Sequence, residues 1–128
     1  PPRYFSSAAS DVYKRQSLPP VNVAFKAQRK AKSLKLTYPN YEDALEDLIS
    51  EVNELKDADN NEDRKDELGD VYFSLLNVSR YLDADPEIQL KRSIDRFINR
   101  AKYVEENFDE DADINELWQE AKNNQIES

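Results

Sequence analysis

The chain has 128 residues, enough for one domain with a single core, and charged residues make up 35% of it. It holds neither cysteine nor histidine, which excludes disulfides, thiolate and imidazole metal sites, and Ser-His-Asp or Cys-His catalysis. The net charge of -9, with no dominant basic cluster, argues against a nucleic-acid partner, and no apolar run approaches the ~20 residues of a membrane span.

The first sixteen residues, PPRYFSSAASDVYKRQ, show no clear period and are net positive, with Arg3, Lys14 and Arg15 against Asp11. They read as non-native cloning read-through or a disordered tail, so the domain is expected to span 17–128. No secretory apolar region is visible, which makes the cytoplasm the expected compartment.

Apolar spacing predicts a first helix from Pro20 to Leu36, with Ala24, Ala27, Ala31 and Leu34 in line. TYPNYED breaks it, and Asn40 can cap a second helix from Tyr41 to Ala58 whose stripe is Ala44, Leu45, Leu48, Val52 and Leu55. DADNNED is the next turn, with Asn60 or Asn61 as cap. A third helix follows from Glu62 to Leu82, with Leu68, Val71, Tyr72, Leu75, Leu76, Ser79 and Leu82 facing inward. Asp85-Pro86-Glu87 is a strong helix start, opening a fourth helix to Asn107 with Leu90, Ile94, Phe97, Ala101, Val104 and Phe108 in line. Asp113 with Glu116 fits a capping box for a short fifth helix holding Leu117, Trp118 and Ala121. The fold class expected is all-α: an antiparallel bundle of four main helices plus a short C-terminal helix.

With histidine and cysteine absent, carboxylates must carry most of any chemistry. Glu51 and Glu54 are three apart on the second helix, and Glu67 and Asp70 three apart on the third. Each pair shares a helix face at the flank of the apolar stripe, so an antiparallel hairpin would bring the four together. Four facing carboxylates repel unless a cation sits among them, and hard oxygen ligands suit Mg²⁺ or Mn²⁺. The plain alternative is four solvated acids. On the fourth helix Arg92, Arg96 and Arg100 recur with Tyr103 on the same flank, a pattern suited to phosphate oxygens or to ordinary surface pairing. Between Glu67 and Asp70 lies Gly69, the only glycine, at a helical position that costs about 1 kcal/mol relative to alanine. It is expected to let backbone approach closely beside the acids.

Residues 67–97, ELGDVYFSLLNVSRYLDADPEIQLKRSIDRF, with LISEVNELKDA upstream and RAKYVEE and ELWQEAK downstream, resemble the MazG family of nucleoside triphosphate pyrophosphohydrolases. LPPVNVAFKAQRKAKSLKLTYP fits the family's first segment, so the resemblance covers about residues 18 to 123. It implies an all-α fold working as a dimer or higher homo-oligomer. It also implies a Glu-x-x-Glu and Glu-x-x-Asp set (Glu51, Glu54, Glu67, Asp70) that is catalytic and binds Mg²⁺. The reaction implied is hydrolysis of a nucleoside triphosphate to monophosphate and pyrophosphate, in house-cleaning of the nucleotide pool. By position, Arg96 and Arg100 match phosphate contacts and Trp118 a tryptophan near the nucleotide. Tyr72, Phe73, Phe97 and Phe108 support the dimer, offering more apolar surface than a small bundle needs internally.

Four positions depart from the family pattern. Ser50 stands for an acid, Asp47 for a lysine, Ile94 for an asparagine and Ala101 for a phenylalanine. Neither Ser50 nor Asp47 is given a catalytic role. They motivate a second hypothesis, a catalytically impaired helical dimer serving as a nucleotide-binding or interaction module. A third is hydrolysis of a related pyrophosphate, such as a deoxynucleotide or phosphoribosyl-ATP.

Overall fold

The computed structural model describes residues 19–124; the segment read as cloning read-through or tail lies outside the described residues. Five α-helices and no strand are found among them: α1 Pro20–Ser33, α2 Tyr41–Asp57, α3 Asn61–Tyr81, α4 Pro86–Asn107 and α5 Ile114–Asn124.

Local chemistry sets where the helices begin. Asn40 and Asn60 sit in extended backbone, and their side-chain oxygens accept from the amides of Asp43 and Asp63. Each satisfies one of the amide groups that a helix start leaves without a partner. Asp85 accepts from Glu87 and Ile88 ahead of α4, where Pro86 occupies the first helical position, and Asp113 accepts from Asn115 and Glu116 ahead of α5.

Two ends are made by an unusual choice of residue. After α1 the Leu36 amide donates to the Ala31 carbonyl and the Lys35 amide to Lys32. After α3 Ala84 donates to Ser79 and Asp83 to Arg80. Both are Schellman closures, which require a left-handed residue and usually employ glycine. Here Lys35 (φ 60°) and Asp83 (φ 51°) occupy it. This closure stops α1 at Ser33, three residues short of the end expected from the apolar spacing.

The chain forms two compact units, one ending at Ala84 and containing α1–α3, the other starting at Asp85 and containing α4 and α5. In the first, α2 and α3 run antiparallel side by side and α1 packs across α3. The packing is close because the buried side chains are small: Ala24, Ala27 and Ala31 on α1, Ala44 on α2, Ser74 and Val78 on α3. Gln28 is buried among them and donates from Nε2 to the Phe73 carbonyl at 2.9 Å, tying α1 to the middle of α3.

The face of α3 that turns inward differs from the expected stripe. Ser74 and Val78 are buried and Val71, Leu76 and Ser79 half-buried, whereas Leu68, Tyr72, Leu75 and Leu82 are exposed. In the second unit α4 packs on α5 through Phe97 and Trp118, whose rings tilt at 56° with centroids 5.5 Å apart. Only Ala121 is buried among the described residues of that unit. Of the stripe expected on α4, Ala101 and Val104 are half-covered and Leu90, Ile94, Phe97 and Phe108 are exposed.

Candidate metal centre

Register along the α2–α3 pair brings the acids together. Asp47 on α2 faces Ser74 on α3, their side chains joined at 2.7 Å. About two turns further along α2 lies Glu54, and about two turns back along α3 lies Glu67. Glu51, Glu54 and Glu67 each direct a carboxylate oxygen to one place, and the three oxygens lie within 4.8 Å of one another. Asp70, the fourth expected member, does not reach that spacing, but its charge acts on both Glu51 and Glu67.

Crowding changes the acidity of these groups. Glu51 is pushed up from 4.5 to about 7, first by burial, then by the charge of Glu54 and a hydrogen bond with it, then by Asp70 and Asp47. A carboxyl–carboxyl hydrogen bond needs a shared proton, so the neutral form of Glu51 persists far above the ordinary carboxylate range. Glu67 is raised as well, by burial first and then by Glu54 and Asp70.

Oε2 of Glu51 and Oε2 of Glu67 are shielded from solvent and have no hydrogen-bond partner. Shielded acceptors without partners are costly. The set therefore fits a hard divalent cation: all its donors are carboxylate oxygens, and two of them lack a hydrogen-bond partner among the described residues.

One turn from this cluster stands a second arrangement. Asp47 accepts from the Tyr38 hydroxyl at 2.6 Å through one oxygen and from the Ser74 hydroxyl at 2.7 Å through the other. Burial and the bond to Asp47 push Tyr38 up to about 12, so it stays a hydroxyl donor. Tyr81, at the end of α3, donates to the Tyr38 carbonyl and also contacts the Thr37 hydroxyl at 2.7 Å.

The expected substrate contacts lie in the second unit. Arg96 and Arg100 are half-buried on α4, and Arg96 donates to Ser93 at 3.0 Å; Arg92 is exposed. Trp118, on α5, is half-buried against Phe97. Tyr103 donates to Glu120 at 3.1 Å, which together with burial raises its pKa.

Comparison with known proteins identifies the family. A family model for the MazG nucleotide pyrophosphohydrolase domain matches residues 40–107, the stretch from the cap of α2 to the end of α4. The chain belongs to the MazG family. All four acids of the MazG pattern fall inside the matched stretch. The nucleoside triphosphate pyrophosphohydrolase/pyrophosphatase MazG of Thermotoga maritima is 30% identical over 114 residues, which cover 82% of this chain and 45% of that protein. An uncharacterized protein of Bacillus subtilis strain 168, YabN, is 37% identical over 67 residues, 45% of this chain and 14% of its own length. The chain thus spans less than half the length of either curated relative. No helix among the described residues is long and apolar enough to cross a membrane.

The joining of Tyr38, Asp47 and Ser74 was not evident from sequence, where Asp47 stood only as a departure from the MazG pattern. The available signal was its spacing: Asp47, Glu51 and Glu54 share one face of α2.

Proposed function

We propose that the chain hydrolyses nucleoside triphosphates to monophosphate and pyrophosphate with a divalent cation, Mg²⁺ or Mn²⁺, held by Glu51, Glu54 and Glu67 with Asp70 as the fourth acid. The observation that carries this is the convergence of three carboxylates, two with shielded and unpartnered oxygens, inside a stretch that matches the MazG pyrophosphohydrolase model. A cation bound there would lower the pKa of a coordinated water and offset charge on phosphate oxygens.

The remaining roles belong to the chain's own groups. Glu51, about half protonated near pH 7, would have to release that proton to serve as a cation ligand. A carboxylate of this set, or a further one from a partner subunit, would accept the proton of the attacking water. Arg96 and Arg100 are proposed as phosphate contacts, because guanidinium forks match phosphate oxygens, and Trp118 as the base contact, because an indole offers a stacking face. We further propose that the working species is a homodimer. Leu68, Tyr72, Leu75 and Leu82 leave an apolar stripe along α3 exposed, and no large side chain among the described residues is fully buried.

The test is incubation of the full chain with a panel of ribo- and deoxynucleoside triphosphates and Mg²⁺ or Mn²⁺, beside a Glu67→Gln variant. Monophosphate and pyrophosphate are expected from at least one nucleotide, with loss of both in the variant and on chelation by EDTA. Absence of monophosphate from every nucleotide would overturn the proposal.

A further inference from the structure

The structure assigns Asp47 as a positioning residue: clamped between the Tyr38 and Ser74 hydroxyls, it holds α2 in register against α3 so that Glu51, Glu54 and Glu67 converge. This rests on the proposed use of that cluster as a cation site.

The clamp closes a ring through three elements. Ser74 on α3 donates to Asp47 on α2. The other Asp47 oxygen accepts from the hydroxyl of Tyr38, in the segment linking α1 to α2. The Tyr38 carbonyl in turn accepts from Tyr81, which lies about two turns beyond Ser74 on α3. α3 is therefore gripped at two levels, and both grips run through Tyr38 or Asp47. Hydrogen bonds to a charged group are shorter and stronger than neutral ones, and Ser74 is only 4% exposed, so water is a poor competitor for its bond.

The packing between α2 and α3 gives the clamp something to add. Ala44 on α2 and Ser74 and Val78 on α3 are the buried residues of this interface, while Leu48 and Leu55 on α2 and Val71 on α3 are only half-buried nearer the acids, so no large, fully buried side chain among the described residues fixes the register. A slide of one helix past the other would separate Glu51 and Glu54 from Glu67, which their mutual repulsion favours. The Asp47 bonds oppose that slide from one turn away, without occupying any oxygen of the cluster.

The test separates position from charge and from stability. The full chain, Tyr38→Phe, Ser74→Ala, the double variant and Asp47→Asn are titrated with Mn²⁺ alone by calorimetry. In parallel, nitroxide labels on Asn53→Cys of α2 and Asp66→Cys of α3 report the interhelix distance without metal; the chain has no cysteine of its own to interfere. The two hydroxyl deletions keep the Asp47 charge. The double variant is expected to bind Mn²⁺ about tenfold more weakly, the low end of what loss of an outer supporting group costs. Its interspin distribution should broaden or shift.

An unchanged distance distribution in the double variant would overturn the assignment, as would unchanged Mn²⁺ affinity with only a lower melting temperature. Weakening confined to Asp47→Asn would overturn it in favour of a charge effect. If the parent chain takes up no Mn²⁺, the cation reading fails by itself, and the metal-free distances still decide whether the clamp sets the register.

Discussion

At the scale of single residues, the acids make pH the most direct probe. Glu51 has a folded pKa of about 7 against an ordinary 4.5. The folded state therefore binds its proton more tightly than the unfolded state does. The associated stability is fully present below about pH 4.5 and is lost as pH rises through about 7. Glu51 is only partly shielded, so the loss should be of order 1 kcal/mol after solvent screening. The metal-free protein should accordingly melt at a lower temperature at pH 8 than at pH 5, and Glu51→Gln should flatten that slope. Cation binding has the opposite sign, because it expels the same proton. Mn²⁺ affinity should rise by about tenfold between pH 6 and pH 8 and level off above, the expectation for one proton released. Calorimetry in buffers of different ionisation enthalpy would count that proton. Gly69 adds a correction at this scale. A Cβ built there meets nothing within 4 Å, so no neighbouring backbone among the described residues exploits the glycine as expected. Gly69→Ala should raise stability by about 1 kcal/mol, read from the urea midpoint. Turnover lost in that variant would have to come from a group outside the described residues.

At the scale of elements, starts were more legible than ends. Asn40, Asn60, Asp85 and Asp113 act on amides two or three residues away, and such short-range chemistry is written in the local sequence. The end of α1 was not, because a lysine in the left-handed region gives no signal of the kind a glycine gives. Both closures carry strain that glycine would relieve. Lys35→Gly and Asp83→Gly should each stabilise the chain by about 0.5–1 kcal/mol, the gain being larger at Lys35, since aspartate tolerates left-handed backbone better. Paired denaturation curves would check the order. The inward face of α3 was misjudged for a different reason. Two adjacent faces of that helix are apolar enough to pack, and hydropathy ranks Leu68, Tyr72 and Leu75 above Ser74. Ser74 nonetheless turns inward, where its hydroxyl is satisfied by the carboxylate of Asp47, 27 residues away. That Glu51, Glu54 and Glu67 meet was legible because helical spacing sets their faces, whereas the shortfall of Asp70 was not. The role of Asp47 was not, because its partners come from distant parts of the chain.

At the scale of the whole molecule, charge and apolar surface pull in opposite directions. The chain carries a net charge of -9, so two copies repel, and the neutralising of three converged carboxylates would lessen that repulsion. Against it stands the stripe of Leu68, Tyr72, Leu75 and Leu82, whose removal from water is insensitive to salt of moderate strength. Screening shortens the reach of the charges, from ~30 Å at 0.01 M to ~8 Å at 0.15 M ionic strength, and leaves the apolar term in place. Self-association of the proposed dimer should therefore strengthen as salt is raised over that range, and strengthen again with Mg²⁺ at constant ionic strength. Sedimentation velocity across both series would measure it. Leu75→Glu places a charge in the stripe at a position that is 47% exposed, so the fold has little to lose while association should weaken by at least tenfold. Association that weakens with salt, or that Leu75→Glu leaves untouched, would mean that the α3 stripe is not where two copies meet.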